Sequence, residues 1–156
     1  MKRRGSILIE TVIAVVMIAL AVPASVAWMQ SVAGDRADAA NAMRATAMAT
    51  AVAEHVLADT VSPSAGLGMP ALADAAGYLD TPGSGLRARL GPLLSVYTDA
   101  GFSFDLEVGG LVGPGGVATG DAMVDVCRRV TVTVRFPGSR GGVIALGIGL
   151  LVTGQE

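Results

Sequence analysis

From Ile7 to Met29 the chain runs for twenty-three residues in which only Glu10, Thr11, Pro23 and Ser25 are not plainly hydrophobic. A helix rises about 1.5 Å per residue, and about 20 apolar residues cross the hydrocarbon of a bilayer. The run is therefore long enough to span a membrane. Lys2, Arg3 and Arg4 stand immediately before it, and by the positive-inside rule they hold the N-terminus in the cytoplasm and send the rest outward. The exception inside the run is Glu10. An acid at the centre of a spanning helix costs about 2.5 to 3.5 kcal/mol on insertion scales and less near an end, so its presence calls for a compensating partner.

Three readings of the segment compete. A plain signal anchor would let Glu10 reach the headgroups at the cytoplasmic end. A cleavable secretory signal is suggested by Ser25-Val26-Ala27 before Trp28, which satisfies the small-residue pattern at a cleavage site; Pro23 favours that reading and Glu10 opposes it. The third reading rests on Arg4-Gly5-Ser6-Ile7-Leu8-Ile9-Glu10, continued by Thr11, Val12, Ala14 and the apolar run to Val22. This stretch resembles the processing site of type IV prepilins and of the pseudopilins of type II secretion, where a basic leader ends in glycine and glutamate is the fifth residue after it.

The resemblance implies cleavage after Gly5 by a prepilin peptidase that also N-methylates the new terminus, Ser6. The first mature residue in this family is most often phenylalanine or methionine, so Ser6 points to a minor subunit rather than a major one. The resemblance further implies storage in membrane lipid, then extraction by an inner-membrane assembly platform into a filament of other pilin or pseudopilin subunits. A carboxylate at Glu10 would pair there with the Ser6 amine of a neighbour, since a buried pair is far less costly than either charge alone.

Beyond Met29 the composition changes without a break. Gln30 to Val61 is rich in alanine, the best helix former, and has no proline until Pro63. Ala45, Met48, Ala49, Val52 and Val56 recur at the spacing of one helix face. One helix is predicted from about Ser6 to Val61, roughly 80 Å by its rise, with Gly34 a mild weak point and Ser62-Pro63 its end. Residues 62–92 carry nine glycines and prolines besides Pro63 and read as a connecting region with a short helix from Ala71 to Tyr78. The rest reads as antiparallel sheet. Phe102, Phe104, Leu106 and Val108 alternate with polar residues, as do Val130, Val132, Val134 and Phe136, and Ile144, Leu146, Ile148, Leu150 and Val152 supply a third apolar row. Leu93 to Thr98 adds a candidate fourth strand. Gly109 to Gly116 reads as a flexible loop, and Ala145, Gly147 and Gly149 as a close approach, most simply by the helix.

Composition narrows the function. The formal net charge is −2, and past the leader eight basic residues face thirteen acidic ones, which argues against nucleic acid as a main partner. His55 and Cys127 are each the sole residue of their kind and neither has the companions of a metal site or an activated nucleophile. Asp121 and Asp125 match no dedicated calcium loop. Arg128, Arg129, Arg135 and Arg140 read as strand-edge solubility. Gly83-Ser84-Gly85-Leu86-Arg87-Ala88 resembles a dinucleotide fingerprint without the preceding strand that motif needs.

The expectation is thus an α+β, pilin-like subunit with no catalytic residues, cofactor or metal. Residues 1–5 form the leader, 6–33 the membrane and filament-core half of the helix, 34–61 its exposed half, 62–92 the connecting region and 93–156 the sheet of the head. It would cross the cytoplasmic (inner) membrane once, with the C-terminal part outside.

Overall fold

The computed structural model describes residues 3–64 and 66–153, with side chains of the first helix described from Leu8 onward. The chain is α+β. Helix α1 spans Arg3–Thr60; a single 3-10 turn at Ala71–Ala73 and helices α2 (Ala75–Asp80) and α3 (Leu86–Asp99) follow; strands β1 (Ser103–Val112), β2 (Cys127–Pro137) and β3 (Val143–Thr153) complete it. The chain divides into two compact units, one up to Ala39 and one from Ala40 onward.

The first unit is helix alone. Its described large apolar side chains, from Leu8 and Ile9 through Val22 to Met29, are about half to two-thirds exposed. Pro23 lies inside the helix, where its missing N–H leaves the Ala19 carbonyl without its usual donor. Two residues on, the Ser25 hydroxyl donates to the Ala21 carbonyl at 2.8 Å. The helix is long and apolar enough to cross a membrane, and its most apolar window has a mean hydropathy of 2.4 with none of it buried.

The second unit is built where two periodicities meet. Ala45, Met48, Ala49, Val52 and Val56 on α1 are completely buried, as their spacing predicts. They join Val130, Val132, Val134 and Phe136 of β2, and Phe104 and Leu106 of β1, in one core. Each valine, leucine, methionine or phenylalanine among them contributes about 1.5 to 3 kcal/mol by leaving water. The sheet has the order β1-β2-β3, antiparallel throughout. Phe102 stacks on Phe136 with ring centroids 5.6 Å apart, and Tyr97 meets Phe102 edge-on.

Four expectations need correction. Leu93 to Thr98 is no strand: it lies within α3, because Leu86, Leu90 and Leu94 recur every fourth residue and are all buried. The sheet accordingly begins at Ser103 rather than 93, and residues 62–92 are more helical than a connector. There Asp74 caps α2 by accepting from the Gly77 N–H at 3.0 Å. The run from Gly109 to Gly116 is loop only from Gly113, since β1 continues to Val112 across an irregularity between Val108 and Leu111. Gly147 and Gly149 face away from the helix: a side chain at Gly147 would meet only Thr131 and Thr133 of the next strand, and one at Gly149 would meet nothing.

Candidate functional site

Two places gather residues whose chemistry demands a partner, one in each unit. In the first, Gly5, Ser6 and Glu10 all lie in the helical backbone that begins at Arg3, so the Gly5–Ser6 bond is inside the first turns of α1. Lys2 lies outside the described residues, and of Arg3 and Arg4 only the backbone is described. Ser6 precedes Glu10 by four residues, which puts them on one side of the helix, one turn apart. Glu10 is exposed among Leu8, Ile9, Val12 and Ile13, which are themselves 54 to 69% exposed. Among the described residues, no ion pair includes Glu10. A carboxylate on an exposed apolar helix face is costly in lipid unless it reaches the headgroups or meets a donor or cation.

The second place is the C-terminal end of α1. Asp59 falls three residues after Val56, at the next position of the buried stripe, and its side chain is 11% exposed. Tyr78 of α2 donates its hydroxyl to Asp59 Oδ2 at 2.5 Å. Arg89 of α3 forks onto the same carboxylate, Nη1 to Oδ1 at 2.9 Å and Nη2 to Oδ2. The backbone carbonyl of Asp59 also accepts from Ser62 and Gly68, at 3.2 and 2.9 Å. Burial pushes the Asp59 carboxyl upward, but the hydrogen bonds from Arg89 and Tyr78 and the guanidinium charge outweigh it and hold the group below the ordinary aspartate value. Burial and the bond to Asp59 push the Tyr78 phenol up. The carboxylate is thus committed to two donors, and its chemistry is that of a clamp joining α1, α2 and α3 rather than of a base. The clamp borders an open cleft of about 620 Å³ lined in part by Leu67, Pro70, Asp74, Thr81 and Arg89.

The other candidates are engaged in building the head. His55 is half-buried, with Nδ1 2.9 Å from the Ala51 carbonyl one turn back. Asp125 braces the β1–β2 loop: its carboxylate accepts from the Thr119 N–H at 3.0 Å, the Thr119 hydroxyl at 2.9 Å and the Gly120 N–H at 2.9 Å. Those donors, the Thr119 N–H foremost, keep it below the usual carboxylate range. Asp121 accepts from the Met123 N–H at 2.9 Å. Among the described residues no three histidine, cysteine, aspartate or glutamate side chains come together as a metal ion would need. Arg129 donates to the Gly116 carbonyl at 2.8 Å and Arg128 to that of Gly109 at 3.3 Å, while Arg135 lies 3.8 Å from Asp105. These three arginines therefore tie loop and strands together and do not form one basic patch. The segment Gly83 to Ala88 leads from α2 into α3 with no strand before it.

Sequence reasoning missed the Asp59–Tyr78–Arg89 clamp. The available signal was the position of Asp59: an acid that continues an apolar stripe at 52, 56 and 59 is carried into the core and needs donors there. Compared with protein-family models, with curated proteins and with solved structures, the chain matches none.

Proposed function

We propose that this chain is a structural subunit, a minor pilin or pseudopilin, of a type IV pilus or type II secretion-like filament. The observation that carries the reading is the combination of Gly5-Ser6 and Glu10 with an apolar helical run whose described side chains, from Leu8 to Met29, stand exposed. A small helix-and-sheet head fused to such a helix is compatible with a pilin-like fold. In this reading a prepilin peptidase cuts after Gly5 and methylates Ser6, leaving the subunit in the inner membrane with its head outside. An assembly platform then moves the helix from lipid into a bundle of neighbouring subunits. Glu10 accepts the Ser6 amine of the adjacent subunit, which fixes the axial register of the two helices.

N-terminal sequencing of the mature protein tests the processing step directly. The expected first residue is Ser6. A start at Trp28 would identify a conventional signal peptide and an exported soluble domain, and an intact Met1 a plain anchor; either would overturn the proposal. Glu10→Ala tests the assembly step. The variant should be expressed, processed and membrane-inserted yet absent from filaments, because removing one partner of a buried charge pair costs about 3 to 5 kcal/mol. Normal incorporation would remove Glu10 from the mechanism.

A further inference from the structure

The charges that flank the apolar run of α1 are too far apart to fix where it sits in a bilayer. Twenty-four uncharged residues separate Glu10 from Asp35, which makes about 37 Å of helix against about 30 Å of hydrocarbon. Within that slack of about 7 Å an upright helix can slide with every one of these charges outside the hydrocarbon. Charge alone therefore does not choose the depth.

Trp28 falls where the choice can be made. It is the only tryptophan in the chain and is 69% exposed, and among the described residues no hydrogen bond engages its indole N–H. Ala24 and Ser25, one turn back, are small, and with Trp28 and Met29 they border an open notch of about 410 Å³. The Ser25 hydroxyl is turned onto the Ala21 carbonyl at 2.8 Å, which leaves the notch beside the ring largely apolar. An indole joins an apolar body to a single donor and so suits the headgroup level, where one end is dry and the other wet. Trp28 lies eighteen residues after Glu10, about 27 Å along the helix and within about 3 Å of the hydrocarbon thickness.

We infer that Trp28 docks on the outer phospholipid interface and sets the depth of α1, holding Glu10 at the level of the inner headgroups. The basic leader and Glu10 draw the helix towards the cytoplasm, since both are better solvated there. Sliding that way carries the indole into hydrocarbon and strands its N–H without a partner, which resists the pull. The helix stops with the ring at the outer boundary and the Glu10 backbone about 3 Å inside the inner one. Side chains on a helix lean towards its N-terminus, so from that depth the Glu10 carboxylate points to the inner headgroups. The inference rests on the membrane placement in the proposed function and needs neither the cleavage nor the filament.

The test places the full chain in phosphatidylcholine vesicles and quenches its tryptophan fluorescence with lipids that carry a nitroxide either near the headgroup or near the chain end. Trp28 should be quenched at least about twofold more by the shallow probe than by the deep one. A reporter moved to the middle of the run, Ile18→Trp with Trp28→Tyr, should show the reverse preference, because tyrosine keeps an amphipathic ring at the interface. In Ile18→Trp with Trp28→Leu that ring is gone, the helix should slide towards its basic end, and the reporter's preference for the deep probe should fall at least about twofold. A reporter at position 18 that neither lipid probe quenches would take α1 out of the membrane, and the inference would fall with that reading. A deep reporter at position 18 would keep the span, and the inference alone would be overturned by any of three results at Trp28: preference for the deep probe, which places the ring in hydrocarbon; quenching only by acrylamide, which places it in water; or no quenching, which places it against another chain. Equal deep preference in the Trp28→Tyr and Trp28→Leu backgrounds would overturn it as well, by showing that the ring does not set the depth.

Discussion

Asp59 shows how one residue can hold a small head together. Its carboxylate sits at the end of a buried stripe and gathers Tyr78 and Arg89 from two other helices. Breaking a buried pair from one side leaves a charge without compensation, at about 3 to 5 kcal/mol. Arg89→Met should therefore lower the urea-unfolding free energy of the full chain in micelles by about that amount, although the methionine keeps much of the packing. The pH dependence gives the sign. With Arg89 in place the Asp59 carboxyl is held low, so its contribution is complete above the unfolded value of about 3.9 and fades as pH falls through the folded one. Without Arg89, burial dominates and raises the group. The variant should recover part of its deficit relative to the unsubstituted chain as pH drops from 7 towards 5, and a constant deficit over that range would show that the charge pair is not the cause. Little of this was legible in the sequence, because Asp59, Tyr78 and Arg89 are 19 and 30 residues apart and no local motif links them. Glu10 was legible for the opposite reason: a lone acid in an apolar run is conspicuous without any tertiary contact.

The elements that declared themselves were those whose hydrophobic period is long and clean. The stripe from Ala45 to Val56 and the alternation from Val130 to Phe136 each name a buried face, and both are buried to within 1%. The element that did not was α3. Its Leu93-Leu94-Ser95-Val96-Tyr97-Thr98 stretch is rich in apolar and β-branched residues like a strand, and Pro92 argues against a helix around it. What decides in favour of helix is the leucine spacing at 86, 90 and 94, which fixes one face on the core. Pro92 is then carried in the interior of α3, where its missing N–H deprives the Ala88 carbonyl of a donor. An interior proline costs about 3 kcal/mol relative to alanine, and the stiffer unfolded chain returns at most about 1 kcal/mol of that. Pro92→Ala should thus stabilise the protein by about 2 kcal/mol in denaturant titrations. A loss of stability would mean that the ring of this exposed residue serves a packing role.

At the scale of the whole molecule, the decisive quantity is the apolar surface that the chain leaves uncovered in its first unit. Contiguous exposed apolar patches beyond a few hundred Å² are rare on soluble monomers, and here large apolar side chains from Leu8 to Val22 stand 50 to 69% exposed. Between Ile7 and Val22 lie ten leucine, isoleucine and valine residues, worth together about 3 to 6 kcal/mol towards membrane insertion at about 0.3 to 0.6 each. Glu10 opposes this by at most about 2.5 to 3.5 kcal/mol, and by less because it lies near one end. The balance therefore favours insertion with the acid in place, and under the proposed function the basic residues ahead of it would set the direction. A periplasmic-only reporter such as alkaline phosphatase, joined after Glu156, should be active in the unsubstituted chain, and the same position should be inaccessible to a cytoplasmic label. Replacing the leader charges by Lys2→Glu, Arg3→Glu and Arg4→Glu should cut the translocated fraction severalfold while the protein stays in the membrane fraction, because the apolar run is untouched and only the cytoplasmic tether is lost. Full reporter activity in that triple variant would show that the leader does not set the orientation, and would leave the apolar helix itself as its determinant.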